Sequence, residues 1–180
     1  MGHIRSNQKK NFFNSAANGL TELLKSQVSA KPELLNITNQ RGRNTEKLAI
    51  FYALKNHHID TTVFLNKKGQ KINENDIIKI IFKSKSPIRE YIFFTELSKL
   101  VTIEFKTDFN NWLFNTIKFK CYELNHIDSL EKLLELNGIK PNWNEIITEY
   151  RTYKNIGNIN NPTTLQFVRD ITLRFLLDDI

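Results

Sequence analysis

Apolar residues in this chain come in short clusters separated by polar turns, and the clusters repeat. Ile50-Phe51-Tyr52-Ala53 leads into the polar stretch Asn56-His57-His58, then into Val63-Phe64-Leu65, and stops at Asn66-Lys67-Lys68-Gly69. That order predicts a short helix, a tight turn, a second apolar helix and a glycine stop. It recurs as Phe119-Lys120-Cys121-Tyr122, then Asn125-His126-Ile127-Asp128, then Leu130 to Gly138. Near the N-terminus, Phe12 to Ala17, Asn18-Gly19-Leu20 and Thr21 to Leu24 follow the same plan. In each copy a small residue (Ser15, Ala53, Cys121) stands five positions before the turn residue Leu20, His58 or His126. The interval from His58 to His126 spans two periods in the low thirties, and self-similarity at that length is the mark of stacked helical repeats.

Between the two clearest copies, Asp76 to Phe82 and Pro87 to Phe94 form a further expected helix pair. Asp76 is placed to cap the first of these helices, and Pro87 suits the first turn of the second, where its missing N–H costs nothing. The stretch Thr95 to Asn111 is long for a connection and predicts an extra helix or insertion near Leu97 to Phe105. After Gly138 two more helices are expected, Trp143 to Tyr153 and Thr163 to Leu177. The second opens at Asn161-Pro162, with Leu165, Val168, Ile171, Leu173 and Phe175 to Leu177 as its apolar positions.

The turn phrases Asn18-Gly19-Leu20, His57-His58 and Asn125-His126, each followed by an acidic residue (Glu22, Asp60, Asp128), resemble the ankyrin repeat. That family pairs two short helices and then turns outward through a β-hairpin finger. The candidate fingers are Asn36 to Arg43, Gly69 to Asp76 and Gly138 to Asn142. The Thr-Pro-Leu-His opening of a strong ankyrin helix is absent, and Leu48-Ala49-Ile50-Phe51 and Thr116-Ile117-Lys118-Phe119 stand in its place. The expected fold is all-α: an ankyrin-like array of helix–turn–helix units at about 10–43, 44–76, 77–111 and 112–143, capped by C-terminal helices in 144–180, after a tail at 1–9. The resemblance implies a protein-binding face built from fingers and first helices. Its candidate contacts are Asn39, Arg41, Arg43, Lys71, Asn73 and Lys140. Short Lys-, Asn- and Ile-rich ankyrin proteins resemble those of intracellular bacteria and their viruses, which implies a secreted effector acting on host proteins.

Composition narrows this further. The chain has 180 residues, 40% of them hydrophobic, with 6 glycines and 4 prolines. That is enough apolar content to bury a core, and it is unlike a disordered protein. A lone cysteine, Cys121, excludes an internal disulfide and suits a reducing cytoplasm. No apolar run approaches the roughly 20 residues of a membrane span. Met1 to Ser6 contain no apolar signal core. The net charge of +7 comes from 26 basic and 19 acidic residues, with lysines spread over most helices. Nucleic-acid binding requires such charge to converge on one face. Local concentrations do occur at Lys9-Lys10, Arg41-Gly42-Arg43 and Lys67-Lys68-Gly69-Gln70-Lys71. The last two would lie on neighbouring finger tips and form a basic ridge, for which an acidic partner protein is the simplest ligand. A nucleic-acid-associated helical protein is the alternative.

Candidate chemistry is sparse. His57-His58 with His126 suggests a metal site, but adjacent histidines diverge and no third ligand stands at helical spacing. The ankyrin resemblance instead implies that His58 and His126 bridge neighbouring turns. Cys121 and His126 have a nucleophile–base separation of five, yet Cys121 occupies the small buried position. Glu131 and Glu135 flank Lys132 on an exposed face. There is no phosphate loop, nucleophile elbow or His-Glu-x-x-His helix. The chain is therefore expected to be a non-enzymatic module with no catalytic residues, metal or cofactor. Aromatic residues at Phe12, Phe51, Phe64, Phe82 and Phe119 are expected in the core. Phe93-Phe94, Phe105, Phe109 and Trp112 gather where the repeat breaks, either filling the gap or facing a partner.

Overall fold

Capped helix starts and left-handed helix stops punctuate the chain. The computed structural model describes residues 4–40, 46–103, 105, 108–154 and 166–173, and the fold is all-α. Among the described residues the helices are α1 (Ser6–Ala17), α2 (Thr21–Ala30), α3 (Ala49–Lys55), α4 (Ile59–Lys67), α5 (Glu74–Lys83), α6 (Pro87–Leu100), α7 (Phe109–Leu124), α8 (Ile127–Leu136) and α9 (Trp143–Lys154). A further helix, α10, covers 166–173. A 3₁₀ turn at Pro32–Asn36 follows α2, and a two-residue antiparallel ladder pairs β1 (Asn39–Gln40) with β2 (Glu46–Lys47). β1 lies in the first expected finger, Asn36 to Arg43, and β2 falls beyond it. Among the described residues the other two fingers carry no strand, and the chain passes directly into α5 and α9.

Some helix starts carry side-chain caps, while α2, α3, α4 and α8 have none. Gln8 reaches back to accept from the Arg5 amide at 3.1 Å, and Asp108 accepts from the Asn110 amide at 3.0 Å. At α5 the cap is Asn73, whose side chain accepts from the Asn75 amide at 2.8 Å. The expected cap, Asp76, lies inside the first turn, and its carboxylate is taken by Lys47. Pro87 opens α6 as expected. The extra helix expected near Leu97 to Phe105 is replaced by the continuation of α6 to Leu100.

Five helix stops share one geometry. At the ends of α1, α3 and α7 the residues Gly19, His57 and Asn125 take positive φ of 69°, 61° and 55°. In each, the next residue's amide reaches back five positions: Leu20 to the Ser15 carbonyl at 2.9 Å, His58 to Ala53 at 3.0 Å, His126 to Cys121 at 3.0 Å. A second bond runs from Gly19 to Ala16, His57 to Leu54 and Asn125 to Tyr122, which completes a Schellman stop in all three. Gly69 and Gly138 end α4 and α8 the same way, through Gln70 to Leu65 at 3.1 Å and Ile139 to Leu134 at 3.0 Å. The five-position offset in the sequence is thus the span of this hydrogen bond, and Ser15, Ala53 and Cys121 are all buried. The α5–α6 connection at Ser84-Lys85-Ser86 has no positive φ, and position 92, one period after His58, falls inside α6.

The chain divides into two compact units, 1–80 with 93–107 and 81–92 with 108–180, so the boundary passes through α5 and α6. In the first unit α1 packs on α3 and α2 on α4, around Phe12, Ala16, Leu24, Ile50, Leu54 and Leu65. Phe51 and Phe64 are half-buried at its edge. Phe93 and Phe94 are buried, filling the core where the period slips, while Phe105 is half-buried. In the second unit α7 packs on α8, and Leu113, Ile117, Leu130, Leu133, Trp143 and Ile146 are buried. Phe109 and Trp112, at the start of α7, are half-buried.

Tyr122, Tyr150 and Phe167 make the aromatic centre of the second unit, with the Tyr150 and Phe167 rings 4.3 Å apart. Phe167 and Ile171 carry the buried side of α10, while Leu173, expected inside, is half exposed. Leu165 and the expected apolar positions 175–177 lie outside the described residues. Phe82 and Phe119 are 57% and 40% exposed, so neither is the core residue that helical spacing suggested. Lys120 is buried instead, its ammonium satisfied by the Phe82 carbonyl at 2.7 Å and by Glu123 at 3.0 Å.

Candidate partner-binding surface

The first unit owes its definition to a polar joint between consecutive helix pairs. The Ala17 carbonyl, left without a helical partner at the end of α1, accepts from Asn56 Nδ2 at 2.6 Å and lies 3.0 Å from His58 Nε2. The His58 ring rests on Gly19, where a Cβ would come within 2.5 Å of Nδ1. Gly19 is therefore required twice, for its positive φ and for the space under the imidazole. One turn further, the buried Thr61 hydroxyl bonds the Thr21 hydroxyl at 2.7 Å. His57 points elsewhere, its ring edge-on to Phe93 at 4.8 Å, so the adjacent histidines do diverge. Gln70 closes the far side. Buried, it accepts from the Ile50 amide at 2.9 Å and donates to the Leu35 carbonyl at 2.7 Å, tying α3 and the 3₁₀ segment to the end of α4.

The second unit has the same turn with other partners. His126 is exposed and does not repeat the bridge made by His58. Its neighbour Asn125 instead accepts from the Tyr150 hydroxyl at 2.7 Å. Below the turn, Lys118 pairs with Glu149 at 2.7 Å, and Tyr122 donates to the same carboxylate at 2.8 Å. Burial first, then that carboxylate, drives the Tyr122 phenol far above its ordinary value. Burial also pushes the Cys121 thiol up to about 12, so it is a neutral packing group at neutral pH. Tyr153 is raised for the same reason, with Glu123 adding to it.

Of the six expected contact residues, Asn39 is half-buried in β1, and Lys71 and Asn73 are exposed between α4 and α5. Lys140 is exposed between α8 and α9, and Arg41 and Arg43 lie outside the described residues. Lys67 and Lys68 are exposed as the basic ridge requires, but Gln70 between them and Lys71 is an internal strut. Asn39 also borders an open hollow of about 270 Å³, lined by Ser6, Lys9, Lys10, Phe13 and Asn14 of α1. The spacing of these α1 residues, 6-9-10-13-14, marks one helical face, but the sequence predicts a tail over residues 1–9, and it is the start of α1 at Ser6 that brings Ser6 and Lys9 onto it. Nor was it legible that β1 walls it. Elsewhere charge is dispersed in local pairs such as Lys25–Glu22, Lys99–Glu96 and Lys132–Glu135. Among the described residues no group of three or more His, Cys, Asp or Glu side chains is placed to hold a metal, and no helix is long and apolar enough to cross a membrane.

Comparison with protein-family models, with curated proteins and with solved structures found no match to this chain.

Proposed function

We propose that this chain is a degenerate ankyrin-like array that binds a partner protein through its finger and first-helix side, and that it performs no catalysis. The observation that supports the reading is the recurrence of one helix–turn–helix stop at Gly19, His57 and Asn125, together with the Ala17 joint that stacks the first pair on the second. Stacked hairpins bury their apolar faces on each other and leave an extended surface for ligands. Exposed Lys71 and Asn73, with Asn39, lie in the segments that serve as fingers in such arrays, and exposed Lys67 and Lys68 stand at the end of α4 beside them. The partner is a protein with an acidic face, and the resemblance to proteins of intracellular bacteria makes a host-directed effector, working in a reducing cytoplasm, the concrete form of the proposal.

The test is affinity capture by the tagged chain from eukaryotic and bacterial lysates at near-physiological salt, with and without nuclease, beside Arg41→Ala/Arg43→Ala. One dominant nuclease-resistant protein, lost in the double variant at unchanged helicity, is the expected result. Recovery of nuclease-sensitive RNA or DNA complexes alone would replace it with the nucleic-acid reading.

A further inference from the structure

The hollow on α1 has a basic lining. Among the described residues it is bordered by two lysines and by Ser6, Asn14 and Asn39, with Phe13 in its floor and no acidic side chain in its lining. The chain contains no Asp or Glu at all before Glu22. Among the described residues Lys9 and Lys10 form no ion pair, whereas Lys25, Lys47, Lys99, Lys118 and Lys132 each do. Lys31 brings a further cation to α1, its ammonium 3.0 Å from Gln8 Oε1.

Size and lining select the occupant. The hollow encloses about 270 Å³. That is below the usual range of small-molecule pockets and leaves room for a side chain or two. Phe13 packs edge-on to Tyr52 at 5.6 Å and is a rigid apolar base. The amides of Asn14 and Asn39 can donate to or accept from a peptide backbone. We infer that this hollow docks an acidic segment of the partner, a carboxylate side chain meeting Lys9 and Lys10 and a neighbouring apolar side chain resting on Phe13. The inference rests on the protein-binding reading above and names the chemistry of the partner at one place on that side.

The probe is an octapeptide of alternating glutamate and leucine, titrated into the full ¹⁵N-labelled chain and followed by amide shifts, beside versions with glutamine or lysine in place of glutamate. The glutamate peptide is expected to bind about tenfold more tightly than the glutamine peptide at low salt, with shifts centred on residues 5–14 and 37–40. Lys9→Glu/Lys10→Glu should abolish that binding and confer binding of the lysine peptide, and Lys9→Gln/Lys10→Gln, a milder change, should bring glutamate and glutamine peptides level. Equal affinities in the unaltered chain, or shifts elsewhere, overturn the inference. So does stronger binding of inorganic phosphate or a thymidine oligonucleotide at the same residues. If Arg41→Ala/Arg43→Ala removes peptide binding and the lysine changes do not, the hollow fails and the finger reading stands. If the lysine changes alone remove it and lysate capture ignores the arginines, the hollow stands and the fingers fail.

Discussion

The turns at His58 and His126 are spelled almost identically, and their backbones agree to within a few degrees. His58 has φ −91° and ψ 87°, and His126 has φ −95° and ψ 87°. Yet His58 is part of a joint, seated on Gly19 and against the Ala17 carbonyl, while His126 faces solvent and the hydrogen bond of its turn belongs to Asn125 and Tyr150. Turn chemistry is local and repeats with the sequence. Side-chain roles depend on which element lies alongside: α1 ends beside His58 with a carbonyl that no helical amide takes, whereas α9 presents a phenol to Asn125. A repeated phrase therefore predicts repeated backbone and not repeated function.

Gly19→Ala strikes hardest at the difference between the two turns. The added Cβ must both hold positive φ and displace the imidazole, so unfolding free energy should fall by about 2–4 kcal/mol in urea titration. Gly138→Ala supplies the control. Its φ is similar, at 65°, with nothing within 4 Å of the added Cβ. The expected loss there is about 1 kcal/mol, the conformational term alone. Equal losses at the two glycines would remove the joint as a source of stability.

Alkaline titration comes next. Cys121 stands where the other copies have Ser15 and Ala53, and its thiol pKa is higher folded than unfolded. The native state therefore holds its proton more tightly, so this contribution is complete below the ordinary thiol value of 9 and is lost as pH rises from there towards about 12. Within that window stability should drop by about 1.4 kcal/mol per pH unit from this group. Tyr122 adds to the loss above its ordinary value of 10. Cys121→Ala, which makes this copy like the one at Ala53, should remove the thiol's share. An unchanged alkaline slope in that variant would show that Cys121 does not titrate with unfolding.

Smaller effects separate the two histidines. His58→Ala should cost about 1–2 kcal/mol, through its lost bond and the space opened over Gly19, and His126→Ala less than about 0.5 kcal/mol, both by thermal or chemical denaturation. Tyr150→Phe should cost about 1 kcal/mol, and Asn125→Gly should add little to it, because the hydroxyl bond is already gone. Additive losses in that double variant would mean that Asn125 serves the turn through something other than Tyr150.

Much of the helical plan was readable from the chain. The glycine and asparagine stops, Pro87, and the helix at Trp143–Lys154 all lie where the apolar clusters and breakers put them, because caps and left-handed stops are satisfied within a few residues. The Asp76 cap and the separate helix expected near Leu97 fail where tertiary partners compete with local rules. Lys47 takes the Asp76 carboxylate, and Leu97 and Val101 find buried places that keep α6 going. Phe82 and Phe119 illustrate the same limit, since helical spacing selects a face but cannot tell that Lys120 is buried while both rings are exposed.

For the candidate surface the division is similar. Residue order is enough to end helices at Gly19, His57 and Asn125 and to set the five-position offset at which each turn closes. Those properties depend on hydrogen bonds and sterics spanning no more than five positions. Packing supplied the rest: the Ala17 carbonyl meets Asn56 and His58, Gln70 braces Leu35 and Ile50, and Asn39 walls the hollow over Phe13. Each of these brings together groups from distant parts of the chain. No local pattern records such encounters, because they are set by which faces win burial when the helices pack.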